Sequence, residues 1–161
     1  MRIGAMVVAV ALVGGGAEAK QPVQTISYAT GACHGFCPAY KVTASSDGRG
    51  TFEGKRFTAV SGRRHFRVTP AQWRAFRKQL QALHGHGSVD LTGPPLCTAM
   101  ATDMADVQVS WSGAWRPFVL RANYGCRTVG QDWMFAHLRR APGALPIAGM
   151  IGERSGFQGK R

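Results

Sequence analysis

Thr25-Ile26-Ser27-Tyr28, then Tyr40-Lys41-Val42-Thr43-Ala44-Ser45, then Ser46-Asp47-Gly48 and Thr51-Phe52-Glu53 form the stretch that sets the structural class. Apolar and polar residues alternate in the first two runs, the period of a half-buried strand. Ser46-Asp47-Gly48 between the second and third is a hairpin signal, because glycine accepts the positive φ such turns need. Gly31 to Pro38 interrupts the pattern. Downstream, two more short strands are expected, around Arg56 to Val60 and from Arg63 to Val68, with Ser61-Gly62 as their turn. This half reads as an antiparallel β-meander.

Thr69-Pro70-Ala71-Gln72 then starts a helix: Thr69 caps, Pro70 fits the first turn and Gln72 completes a capping box. Trp73, Phe76, Leu80 and Leu83 recur at helical spacing, Arg74, Arg77 and Lys78 lie off that stripe, and Gly85 can end the helix. Residues 84 to 105 carry no period and read as an irregular loop. Val107, Val109 and Trp111 alternate up to Ser112-Gly113, and Trp115 to Ala122 returns as a second β-hairpin, with Pro117 at an edge or bulge position. Gln131 to Arg140 is a second helix, limited by Pro142. The expected class is therefore α+β: a meander and a second hairpin with two packed helices in a single domain over residues 20–150.

The composition agrees. The 161 residues are 45% hydrophobic with 21 glycines and 8 prolines, enough apolar side chain for a core and too many turn residues for a long-helix protein. Met1-Arg2, an uncharged apolar run from Ile3 to Gly16 and Ala17-Glu18-Ala19 have the order of a secretory signal peptide, so residues 1–19 are expected to be removed after Ala19 and the chain to work in the periplasm or outside the cell. Removing them takes one Arg and one Glu, so the rest keeps the whole formal charge of +12.

All four cysteines lie beyond that point, and an even count in an oxidising compartment reads as two disulfides. Of three possible pairings, Cys33–Cys37 with Cys97–Cys126 is favoured, because the first pair flanks a tight loop and the second a hairpin.

At Cys33-His34-Gly35-Phe36-Cys37-Pro38-Ala39-Tyr40, followed by Asp47-Gly48 and Phe52-Glu53-Gly54, the chain resembles an uncharacterised family of exported bacterial proteins, a domain of unknown function with the pattern C-x-G-x-C-P-x-Y, a strand, D-G, and a strand ending in G. Cys97, Thr102-Asp103 and Tyr124-Gly125-Cys126 also look like that family's second half, so the resemblance runs over roughly residues 24 to 140. It implies one exported, disulfide-bearing domain and carries over no catalytic residue or cofactor.

No catalytic signature emerges: neither a G-x-S-x-G elbow nor a phosphate-cradling glycine loop occurs. Cys33, His34 and Cys37, with His84 or His86, offer a redox or zinc alternative, opposed by the spacing between the cysteines and by export. His84-Gly85-His86 reads as a solvated helix end. Asp103 and Asp106 are the nearest approach to an acid pair, Asp103 being the first to mutate. No cofactor, catalytic residue or metal ligand is assigned.

Basic residues cluster instead. Arg63, Arg64 and Arg67 lie on a strand, and Arg74, Arg77 and Lys78 on the helix that follows. Either they keep the surface solvated, or they attract an anionic partner: acidic lipid head groups, an envelope glycan or an acidic protein. Nucleic acid is disfavoured by the compartment and by the lack of a binding motif. Trp111 and Trp115 flank the second hairpin turn and either form an exposed aromatic patch or, for one of them, pack under the helix. A non-enzymatic exported domain with a basic binding face is the expectation.

Overall fold

The structure, a computed structural model, describes residues 21–152 apart from 86, 114–115, 128–129 and 131. The expected signal peptide, His86, Trp115 and most of residues 151–161, which the sequence reads as a Gly-rich, basic, flexible tail, lie outside the described residues. Strands β1 (Gln24–Thr30), β2 (Ala39–Ser45), β3 (Arg49–Arg56) and β4 (Gly62–Arg67) form the meander, each antiparallel to the one before. Alternation in β2 extends into burial: Val42 and Ala44 are inside, while Lys41 and Thr43 are not. Gly48 carries a φ of 88° in the β2–β3 turn, the left-handed region the Asp-Gly pair signalled.

Helix α1 (Pro70–Gln81) starts as the sequence indicated. The Gln72 amide donates to the Thr69 hydroxyl at 3.2 Å and the Thr69 amide to Gln72 Oε1 at 2.9 Å. Trp73, Phe76 and Leu80 are buried, and Leu83 just beyond the helix is buried too. Strands β5 (Val89–Leu91), β6 (Ala99–Met100), β7 (Asp106–Gly113), β8 (Phe118–Asn123) and β9 (Cys126–Arg127) follow, then α2 (Asp132–Arg140), a 3-10 turn at Ala141–Ala144 and the short α3 (Ala148–Ile151).

The main sheet has seven strands in the order β4-β3-β2-β1-β7-β8-β5, with β6 and β9 a separate pair. The two halves of the chain are one sheet because β1 pairs with β7 as well as β2, Ile26 opposite both Ala44 and Trp111. Both disulfides form with the favoured pairing, Cys33–Cys37 and Cys97–Cys126. On one face of the sheet Ile26, Tyr28, Val42, Phe52, Val109, Trp111 and Leu120 join Phe76 and Leu80 of α1 and Phe135 and Leu138 of α2 in one core cluster. This face is the covered one.

Three expectations need correction and one open alternative is decided. Residues 56–60 are not a strand: β3 runs straight through to Arg56, and the chain then turns at Phe57, whose φ of 55° is incompatible with a strand. Residues 84–105 are not all irregular, since Val89–Leu91 adds to β8 in parallel; three residues are too few to show a period. Pro117 sits just before β8, where no ladder amide is needed, rather than at an edge or bulge. Of the two readings of the tryptophans, packing under the helix holds for Trp111, which is only 2% exposed.

Candidate functional site

Residues directly opposite in adjacent strands project to the same side, so the pairing register divides the basic residues. Arg64 faces Phe52, which is fully buried, and therefore lies on the helix-covered side. Arg63 pairs with Glu53, His65 with Thr51 and Arg67 with Arg49, and these lie on the opposite side. Following the register across β2, Lys41 is opposite Glu53 and Thr43 opposite Thr51, so they share that side. Ser27, Ser110 and Gln108 continue it to Arg121 on β8.

This outer face is mostly polar, with Ala29 and Val119 as apolar members. Thr25 and Ser45 hydroxyls lie 3.2 Å apart, Ser27 and Thr43 2.8 Å, and Thr51 Oγ1 is 3.3 Å from His65 Nδ1. Its cations concentrate on the β2–β4 half as Lys41, Arg49, Arg63 and Arg67. Carboxylates offset them incompletely: Asp47 holds Arg49 at 2.7 Å, and Glu53 stands 3.7 Å from Arg63. Of the residues named from sequence, Arg63 and Arg67 are thus on the outer face. Arg74, Arg77 and Lys78 belong to α1, on the other side of the sheet, where Arg77 Nε donates to Gln81 Oε1 at 3.0 Å. Lys41, Arg49 and Arg121 were missed, although Lys41 could have been found from the alternation in β2 alone.

The end of the sheet where β1 leaves and β2 enters carries the disulfide loop. Its backbone is tied to the strand-entry segment of β7: the Gly31 amide donates to the Asp106 carbonyl at 2.8 Å and the His34 amide to the Asp103 carbonyl at 3.0 Å. The Asp106 carboxylate accepts from Asn123 Nδ2 at 2.8 Å. Asp103 and Asp106 therefore anchor the loop and the strand entry. His84 is elsewhere, at the hairpin end of β7, with its ring against Trp111 and Phe118 and its Nε2 3.1 Å from the Arg116 carbonyl oxygen. It is half-buried rather than solvated, and most of the length of β7 separates it from Cys33 and Cys37.

At the tip of the disulfide loop Phe36 is 82% exposed. Its ring meets Phe57 edge-on with centroids 5.3 Å apart, and the Arg56 guanidinium lies 4.7 Å over the Phe57 ring. Two open depressions flank Thr92, which directly follows β5. One, of about 540 Å³, is lined by Asp90, Gly93, Pro94, Pro95 and Leu96, and the other, of about 300 Å³, reaches Ala29, Asp106 and Arg121. Asp90 accepts from the Thr92 hydroxyl at 2.6 Å and the Thr92 amide at 3.0 Å, which holds its carboxyl below the usual value, with Arg121 adding to the effect. A carboxylate so held is a poor proton acceptor.

Inside the core, the Tyr28 and Tyr124 hydroxyls are 2.9 Å apart, with the Arg139 guanidinium 4.8 Å over the Tyr124 ring. Burial pushes the Tyr28 hydroxyl well above its ordinary pKa, with Tyr124 and Tyr40 adding in the same direction, and burial raises Tyr124 too. Both stay protonated at neutral pH. Among the described residues no group of three or more His, Cys, Asp or Glu is placed to hold a metal ion. No described helix is long and apolar enough to cross a membrane.

Comparison with known proteins returns a single family: the model of a domain of unknown function, DUF6438, matches residues 24–129, and the chain belongs to that family. Neither a curated protein nor a solved structure matches.

Proposed function

We propose that this DUF6438 protein is an exported, non-enzymatic domain that binds an anionic component of the cell envelope through the basic half of its outer sheet face. The observation that carries the reading is the register of β2, β3 and β4, which gathers Lys41, Arg49, Arg63 and Arg67 on one polar face against Glu53 and Asp47. A flat array of cations raises the local concentration of a polyanion. Two disulfides and the N-terminal pattern Arg2, apolar run, Ala17-Glu18-Ala19 support an oxidising compartment outside the cytoplasm.

The purified domain is expected to be retained on a heparin column and to elute earlier as salt rises, since exposed charges are screened beyond roughly 8 Å at physiological ionic strength. Arg63→Gln with Arg67→Gln is expected to weaken retention with an unchanged Tm. Failure to bind heparin at low salt would overturn the reading.

A further inference from the structure

Phe36 is the most exposed large apolar side chain among the described residues, and three separate features hold it out. The Cys33–Cys37 bridge closes a five-residue loop around it, so its position is set by a covalent ring rather than by a flexible tip. Phe57 supports it from the next loop, in a left-handed backbone conformation that L side chains rarely adopt. The residues that follow it are anchored: the Ala59 amide donates to the Ile151 carbonyl at 3.1 Å and the Val60 amide to the Met150 carbonyl at 3.0 Å, while within the loop the Thr58 hydroxyl donates to the Val60 carbonyl at 2.9 Å. Strain maintained by surrounding structure is a mark of a functional position.

The surroundings are cationic. The register slips between Ala39 and Tyr40, leaving Lys55 as the extra residue of a bulge and turning Arg56 beside Phe57. Lys41, Arg63 and Arg64 lie at the same end of the sheet, with Glu53, Asp103 and Asp106 as the nearby carboxylates. The tip is exposed, with aromatic rings at its loop and basic side chains around it. A soluble polyanion would use the charges and leave Phe36 in water. An anionic bilayer would use both, the rings entering the headgroup–acyl boundary while guanidinium and ammonium groups stay with the phosphates.

Deepening the basic-face reading and resting on it, we propose that the Phe36–Phe57–Arg56 tip inserts into the interface of an anionic lipid bilayer, making membrane the anionic partner. The test compares sedimentation with phosphatidylglycerol/phosphatidylcholine vesicles and retention on heparin, each at low and high salt, for the wild type, Phe36→Ala and Phe57→Gly. Glycine accepts the φ at position 57, so the second variant removes the ring while relieving the backbone. Wild type is expected to keep part of its vesicle binding at high salt. Each variant is expected to lose that part, about tenfold in apparent affinity, with heparin retention and Tm unchanged.

Vesicle binding that is the same in wild type and variants, or that vanishes with salt as heparin retention does, overturns the insertion and leaves the basic face standing. No binding to heparin or vesicles at low salt overturns both. A wild-type dimer in solution that Phe36→Ala dissociates assigns the tip to a second copy of the chain and likewise overturns insertion.

Discussion

Gly54 shows how one residue can position a distant surface. A Cβ there would overlap the Val60 carbonyl oxygen and crowd the Thr58 hydroxyl, because the loop after β3 folds back over the strand at that point. Gly54→Ala is therefore expected to cost about 2 kcal/mol and to displace the loop that carries Phe57, measured as a lower denaturation midpoint with reduced vesicle binding. Tyr28 makes a second residue-scale prediction. Its pKa is raised by burial, so the folded state favours the neutral hydroxyl: this contribution is intact below the ordinary tyrosine value of 10.0 and is lost as pH climbs through the higher folded value. Urea midpoints are expected to be level up to about pH 10 and to fall above it, and Tyr28→Phe to flatten that fall. A fall undiminished in Tyr28→Phe would show that another group governs the alkaline limb.

Among the elements, β1, β2, the β2–β3 turn, α1 and the β7–β8 hairpin were legible because each obeys a local rule: period two, an Asp-Gly turn or a capping box. What was not legible depends on partners far along the chain. β5 is a strand only because β8 accepts it in parallel, and α3 exists where Ile147 is buried and the Met150 and Ile151 carbonyls meet the loop after β3. The candidate face was legible in part for the same reason: the charge of Arg63 and Arg67 is in the sequence, whereas its separation from Arg74 and Lys78 follows from which side of the sheet α1 covers. β4 is also an edge strand, and its charged residues hinder further strand addition whatever else they do. The two disulfides differ in reach. Cys97–Cys126 spans 29 residues and ties the β5–β6 connection to β9, so replacing both cysteines with alanine is expected to cost about 3.5 kcal/mol, against about 2 kcal/mol for Cys33 and Cys37. Chemical denaturation of the two double variants checks the order; equal losses would show that loop-closure entropy is not the governing term.

The whole molecule is a sheet with helices on one side and a polar, partly basic surface on the other. That asymmetry makes a prediction no single element makes. Arg74→Gln with Lys78→Gln removes the same charge as Arg63→Gln with Arg67→Gln, but from the helix side. The helix-side pair is expected to change heparin elution by less than half as much as the strand-side pair. Equal shifts would mean that net charge alone sets the affinity and that the sheet register is irrelevant to it.

β1 lies between β2 and β7, near the middle of the sheet, although it is the first strand among the described residues. The meander can assemble from near neighbours, but the second edge of β1 must wait for Asp106–Gly113, some eighty residues later. Until then an open strand edge is exposed in the middle of the future sheet. Loop closure over that distance is entropically slow, and unpaired edges invite association with other chains. Because a chain is synthesised from its N-terminus, the hazardous interval is thus the emergence of α1 and the connection after it, when a chaperone has most to protect.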